Sequence, residues 1–308
     1  MSNTLIIKPT SACNFNCSFC SARKLNIPIH TTVPQVLKEY IIKNKPSNII
    51  ITGGEPFINP VSYYEDLLSI LDYDYSISIT SNMVLWYENP EKWDWLCNNP
   101  RVGIDTSFQY GDERKDANVY TEERFKEIFW AFYKRYNRKV DFISVLNENN
   151  AKYAIKTVEL AKELDVWVKL NCQLPVGAAD KYFPRYKLLE IYLELIRLGL
   201  DKYETNLIRR KEHICSFVLS PDYCKTIDVA YVNNNEELVL TQCEEVSSSE
   251  GKFKVEKDYL FKDKCLACPM CRICNGCSIN REATRQIKDE HCKWMKEHYQ
   301  ELKEADLL

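Results

Sequence analysis

The sequence has no surplus of charge of either sign: 41 Lys and Arg stand against 44 Asp and Glu, a net charge of −3. That balance argues against a nucleic-acid partner and against a polybasic membrane contact. No apolar run approaches the ~18 residues of a membrane span. The opening MSNTLIIKPT has neither the basic start nor the long apolar stretch of an export signal, so the expected compartment is the cytosol. Histidine is scarce, 4 residues in all, and forms no cluster. Walker loop, HExxH, GxSxG and internal repeats are all missing.

Cysteine, by contrast, is plentiful, at 14 of 308 residues. Secreted disulfide scaffolds of that density are short chains, whereas this one is long enough to bury a large core and has a helix-rich body. In a reducing cytosol, clustered thiols imply metal. The sequon Asn16-Cys17-Ser18 then has no significance.

From Leu5 to about Pro175, β-rich runs alternate with helical patterns. The strand-like runs are 5–9, 48–52, 75–80, 101–108, 140–146 and 166–171. Between them, 33–44, 60–71, 90–99, 122–136 and 150–164 carry apolar residues near period 3.6, several opening on Pro. Six β/α units imply a parallel sheet with helical crossovers. A doubly wound sheet satisfies the pattern, but short strands with helices outside favour a curved, barrel-like one. Either architecture puts reactive groups at the C-terminal strand ends, where SACNFNC, GGEP and SN fall in turn.

After a long helix over 185–204 the composition changes, and nine of the fourteen cysteines lie from Cys215 to Cys292. A division at 205/206 separates a first domain, 1–205, from a second, 206–308. The second shows a hairpin over 226–242 turning at an Asn run, and a charged helix from about Asn280. It has too little patterned apolar sequence for a core of its own, so metal ligation is expected to supply its folding energy.

Cys13, Cys17 and Cys20 lie within eight residues, one ligand short of a complete four-ligand site. Zinc prefers paired CxxC units, and no second pair is near. A four-iron cubane held by three thiolates keeps one iron open, the logic of catalytic metal sites. CNFNCSFC, followed by Gly53-Gly54-Glu55-Pro56 on the next βα turn, resembles the radical S-adenosylmethionine (SAM) superfamily. The resemblance implies that the open iron chelates the amino and carboxylate groups of SAM. It places Gly53, Gly54, Glu55 and Pro56 at the methionyl amine and Phe19 near the adenine. More loosely, it sets Asn82, Ser107 and the 174–177 segment at the ribose, the methionine carboxylate or the adenine pocket. Physically, paired glycines let a backbone approach closely, Glu55 offers an acceptor to an ammonium, and Pro56 fixes the turn.

Residues 265–277 read CLACPMCRICNGC, five cysteines at period three, a spacing common to zinc ribbons and ferredoxin-like runs. Their order behind the first motif looks like a SPASM extension. The resemblance assigns Cys215, Cys224, Cys243 and Cys277 to a first auxiliary cluster and Cys265, Cys268, Cys274 and Cys292 to a second. Cys271 is then surplus or a substitute for Cys274. The last gap is one residue shorter than the common form, and the usual Gly-x4-Cys before Cys243 is absent. The implied fold is a partial (β/α)6 barrel followed by a small cysteine-rich iron-sulfur SPASM domain, with three 4Fe-4S clusters and SAM as cofactors.

Two auxiliary sites favour a residue of a ribosomally made peptide as substrate, the specific expectation being a splicease that excises tyramine; thioether formation, C–C crosslinking and epimerisation belong to the same class. A dehydrogenase or epimerase of a small metabolite is the alternative, and an iron-sulfur or zinc interaction module the non-enzymatic one. Strand β-run 5–9 leaves no room for a fused leader-binding domain, so a separate leader-binding protein is expected, with an electron donor such as flavodoxin or ferredoxin. Asp105 and Glu148, at or just past strand ends, are the candidate bases. Trp86, Phe108 and Tyr110 are candidates to line a groove, Cys97 for core packing, and Cys172 for the cavity wall.

Overall fold

The structure, a computed structural model, describes residues 4–174, 177–179, 181–209, 227–242, 268–269 and 287–308. Six short strands form its frame: β1 (Thr4–Ile7), β2 (Asn48–Ile51), β3 (Ser76–Thr80), β4 (Val102–Ser107), β5 (Phe142–Leu146) and β6 (Val168–Cys172). Each is parallel to the next in chain order. The pairing of β4 changes partner along its length, β3 against 102–105 and β5 against Thr106 and Ser107 only. That stagger is how a sheet curls toward a barrel.

The crossovers are α1 (Gln35–Asn44), α2 (Val61–Ser69), α3 (Val84–Glu88), α4 (Asp94–Cys97), α5 (Glu122–Tyr136) and α6 (Ala154–Leu164), followed by α7 (Arg185–Arg197). Alternate strand residues Leu5, Ile7, Ile49, Ile51, Ile77 and Ile79 are buried in one core with Leu37, Ile41, Leu67 and Phe125 of the helices. The opposite strand face is more polar, and Asp105, Ile143 and Lys169 line an open pocket of about 370 Å³ with Asp141, Trp167 and Thr205.

The helix expected over 185–204 ends at Arg197, because Gly199 adopts a left-handed φ of 65°. Leu200 N–H reaches Leu195 O (2.8 Å) and Gly199 N–H reaches Ile196 O (3.0 Å), the paired bonds of a Schellman stop. The chain then turns through α8 (Thr205–Ile208). Here Glu204 accepts from Leu170 N (2.9 Å) and Asn206 donates to Leu170 O (3.0 Å), blunting the outer edge of β6 with side chains.

The hairpin forms as expected, β7 (Ile227–Val232) with β8 (Leu238–Gln242), but it extends the first sheet. Its β7 lies parallel to β1 in an eight-stranded order β6-β5-β4-β3-β2-β1-β7-β8. The expected boundary at 205/206 therefore leaves on its far side a strand that is hydrogen-bonded to the barrel. Terminal helices α9 (Lys288–Glu297) and α10 (Tyr299–Glu304) follow, with the Trp294 ring 5.8 Å from Tyr186 of α7 and Met295, Leu302 and Leu307 buried. Among the described residues no helix is long and apolar enough to cross a membrane.

Candidate functional site

The loop leaving β1 carries the three clustered cysteines and is held from three sides. From β2, Gly54 N–H donates to Thr10 O (2.9 Å) and Glu55 N–H to Ala12 O (2.8 Å). From beyond β4, Asn16 N–H donates to Lys115 O (2.7 Å) and Ser18 N–H to Glu113 O (3.2 Å). From beyond β6, Ala178 N–H donates to Cys20 O (2.8 Å).

Three glycines make this closeness possible. A Cβ on Gly54 would stand 2.0 Å from Ala12 O, and one on Gly177 2.3 Å from Cys20 O. Gly53 has φ +138°, a conformation in which a side chain is strained. The backbone approach expected of the paired glycines is thus made, in the first instance, to the cysteine loop itself. Within the 174–177 segment, Pro175 and Val176 lie outside the described residues, and Gly177 packs against Cys20.

Cys17 is buried, Cys20 half-buried and Cys13 exposed. Desolvation raises the Cys17 thiol, opposed most strongly by the positive charge of Arg114. Desolvation of its sulfur pushes the Cys13 thiol up to about 12, with Glu55, Cys17 and Cys20 adding to the rise and the Phe15 amide opposing it. Among the described residues no three Cys, His, Asp or Glu side chains stand as a ready-made metal site. The fold gathers the three thiols onto one loop at the end of β1.

Glu55 is only 1% exposed and fully engaged in the fold. It accepts from Ser81 Oγ (2.7 Å), Phe57 N (3.0 Å) and Asn82 N (2.8 Å). Burial raises its carboxyl, with these donors pulling the other way. Three of about four acceptor directions are occupied, so its main geometric role is to join the end of β2 to the end of β3. Pro56 opens the short 3-10 turn that Glu55 caps. Asn82 reaches the cysteine loop: its Nδ2 donates to Asn14 Oδ1 (2.7 Å) with Cys13 Sγ at 4.0 Å, while its Oδ1 accepts from Val84 N (3.0 Å) at the start of α3. Phe19 is half-buried against the main core.

Ser107, at the end of β4, accepts from Arg114 Nη2. Arg114 is 7% exposed, its guanidinium 5.3 Å from the Phe15 ring centroid and 5.7 Å from that of Tyr120. Sequence reasoning missed it: GDERKD has the composition of a solvated turn, and only the pairing of 113–115 with the cysteine loop turns that stretch inward. Glu113 was missed for the same reason. It accepts from Ser18 Oγ (3.1 Å) and from Asn147, whose amide also reaches Gln173 (3.2 Å), so the loops after β4, β5 and β6 are tied to the cysteines.

The candidate bases part company. Asp105 lines the open pocket beside β5 and β6, accepts from Ser78 Oγ (2.6 Å) and is raised by burial. Glu148 is exposed and ion-paired with Lys187 (2.9 Å). Trp86 and Phe108 are core residues, 1% exposed, the latter stacked on Phe125 at 4.7 Å. Tyr110 is committed to Glu122 (2.9 Å). Cys97 is core, as expected; Cys172 packs half-buried against the core with its thiol pushed up to about 12 by burial. Of the tail ligands, Cys268 is half-buried against the main core and Cys292 half-buried on α9. Cys215, Cys224, Cys243, Cys265, Cys271, Cys274 and Cys277 lie outside the described residues.

The donor set fits an iron-sulfur cluster with a polar organic ligand beside it. Three thiols on one strand-end loop supply soft ligands, and the buried Arg114 Nε and Gln109 Nε2 have no acceptor among the described residues. Buried donors of this kind require one.

The family model described as Radical SAM superfamily matches residues 7–161. Among solved structures, anSMEcpe with bound AdoMet and Cp18Cys peptide is similar over 98% of both chains, at 16% identity and a TM-score of 0.66. SuiB of Streptococcus suis bound to precursor peptide SuiA is similar over 91% of this chain and 72% of that one, at 14% identity and a TM-score of 0.61. No curated protein matches the sequence.

Proposed function

The chain belongs to the radical SAM superfamily, and we propose that within it the protein modifies a residue of a ribosomally made peptide. The observation that carries the catalytic part is the three-cysteine loop, seated on the C-terminal face by backbone bonds from the ends of three different βα units. When bound, a 4Fe-4S cluster and SAM supply an electron and a 5′-deoxyadenosyl radical able to abstract hydrogen from an unactivated C–H bond.

In this reading Cys13, Cys17 and Cys20 are the thiolate ligands. Gly53, Gly54 and Pro56 shape the wall at the methionyl end, and Ser107 with Arg114 offers hydroxyl and guanidinium groups to a carboxylate. Asn82 fixes the loop through Asn14, Phe19 stands by as an aromatic face, and Gly177 closes the loop over Cys20. Asp105 is the remaining candidate for moving a proton, raised by burial toward the neutral form.

Support for a peptide substrate comes from the whole-chain likeness in fold to two structures determined with peptides bound. The cysteine-rich tail is read as a SPASM domain over 206–308, sharing its hairpin with the barrel sheet. Cys215, Cys224, Cys243 and Cys277 then ligate one auxiliary 4Fe-4S cluster and Cys265, Cys268, Cys274 and Cys292 another. A separate leader-binding protein and a flavodoxin or ferredoxin donor complete the reading, and tyramine excision is the specific reaction favoured.

Anaerobically purified protein should carry roughly twelve irons per chain, the sum for three four-iron clusters. The C13A/C17A/C20A variant should lose deoxyadenosine formation while keeping about eight irons. Zinc instead of iron in the tail would sink the SPASM assignment, and deoxyadenosine production by the triple variant would refute the catalytic one. A short precursor peptide encoded beside the gene, modified on incubation with enzyme and SAM, decides for peptide over metabolite.

A further inference from the structure

The two bonds Asn16 N to Lys115 O and Ser18 N to Glu113 O step two residues along each segment in opposite directions. They lay residues 113–115 alongside the cysteine loop and set Cys17 across from Arg114, each midway between the two bonds. Both are almost fully buried, Cys17 at 8% exposure and Arg114 at 7%.

The guanidinium is held in place without being neutralised. Ser107 accepts one of its N–H groups, and the Phe15 and Tyr120 rings lie against its faces. Among the described residues no carboxylate forms an ion pair with it, and its Nε has no partner. A buried cation is costly unless an anion joins it; besides the buried Glu55 carboxyl, which its charge also reaches, the group on the adjoining segment able to become one is the Cys17 sulfur.

We propose that Arg114 is a positioning residue for the N-terminal iron-sulfur cluster, its fixed charge opposite Cys17 raising the reduction potential by favouring the more negative, reduced state. This rests on the cluster reading above. One electron from a low-potential chemical reductant such as dithionite takes the four-iron cluster from its oxidised to its reduced form. One negative charge is added, and no ligand or proton need leave. Net charge and burial are established levers on such potentials.

The test is a redox titration of full-length, reconstituted protein without SAM, followed by electron paramagnetic resonance. Subtracting the titration of C13A/C17A/C20A isolates the N-terminal cluster. R114M removes the charge while keeping bulk, R114Q removes it while keeping an amide donor for Ser107, and R114K restores it. At a fixed potential both neutral variants should hold about tenfold less reduced cluster, ~59 mV for one electron, with R114K close to wild type. Iron content and circular dichroism confirm that each variant is loaded and folded, and either neutral variant suffices. An unchanged midpoint in a loaded neutral variant overturns the inference, as does a shift that appears only when SAM is added, which would make Arg114 a ligand for the SAM carboxylate alone. Absence of iron at the N-terminal loop of wild type overturns the cluster reading itself, and the inference with it.

Discussion

The main-chain N–H of Asn82 donates to Oε2 of Glu55 at 2.8 Å, so a fully buried carboxylate pins the end of β3 to the end of β2. Because Asn82 in turn holds Asn14 (2.7 Å), the cysteine loop inherits its position from that carboxylate at one remove.

Replacing Glu55 by Ala should therefore cost far more than a ligand contact. Ser81 Oγ and the amides of Phe57 and Asn82 lose their acceptor inside the core, at about 1–3 kcal/mol for each buried donor left unsatisfied. Urea unfolding of E55A should show a midpoint lowered by the equivalent of several kcal/mol. A loss under about 1 kcal/mol would mean that water readily replaces the carboxylate.

Gly54→Ala asks a methyl group to occupy a point 2.0 Å from Ala12 O. Since the obstacle is backbone, the cysteine loop must move away from β2. The expected outcome is folded protein with clearly reduced iron in the N-terminal cluster and unchanged tail iron, read by iron quantitation against C13A/C17A/C20A. Wild-type loading in G54A would show that the loop has slack.

Asn82→Ala cuts the side-chain tie to Asn14 and removes the acceptor of Val84 N–H. A buried donor left unsatisfied costs about 1–3 kcal/mol. The sharper effect should be local: faster hydrogen exchange across residues 12–18 in the metal-free protein, with the β5–β6 region unchanged. Uniform acceleration across the chain would instead mean global destabilisation.

Glu204 gives a pH dependence of known sign. Burial lifts its carboxyl to about 7 despite donors from Leu170, Leu207 and Asn206 and the charge of Lys169. A group raised on folding contributes its full stability below its ordinary value near 4.5 and loses it as pH climbs through about 7. Stability should fall between pH 5 and 8, by up to about 3 kcal/mol from this group. E204Q, which cannot ionise, should flatten most of that fall in thermal melts. An equally steep profile in E204Q would assign the dependence to Asp105 or Asp141, both also raised by burial.

The strands and most helices were legible because their signals are local. Runs such as Ile49-Ile50-Ile51 show β-rich composition directly, and α5 announces itself through Thr121 at its cap and acids in its first turn. The stop at Arg197 was also written in the chain, as Gly199, but a single glycine does not say whether it ends a helix or sits within it. What no local pattern reports is which distant segment lies alongside. The hairpin was legible; its parallel seat on β1 was not. Arg114 and Glu113 were invisible for the same reason, as was the ion pair of Glu148 with Lys187. At the site, the cysteines stood out by spacing, whereas the residues that hold them are ordinary in sequence and singular only in position.

The support of the cysteine loop by residues 113–115 and 178 bears on biosynthesis. Cys13, Cys17 and Cys20 leave the ribosome well before the main-chain donor that fixes Cys20, Ala178, which is made 158 residues after it (178 − 20). Until then the three thiols hang on an unfinished scaffold, exposed to stray metals and oxidants. On the proposed cluster reading, productive iron loading is expected to follow completion of the barrel.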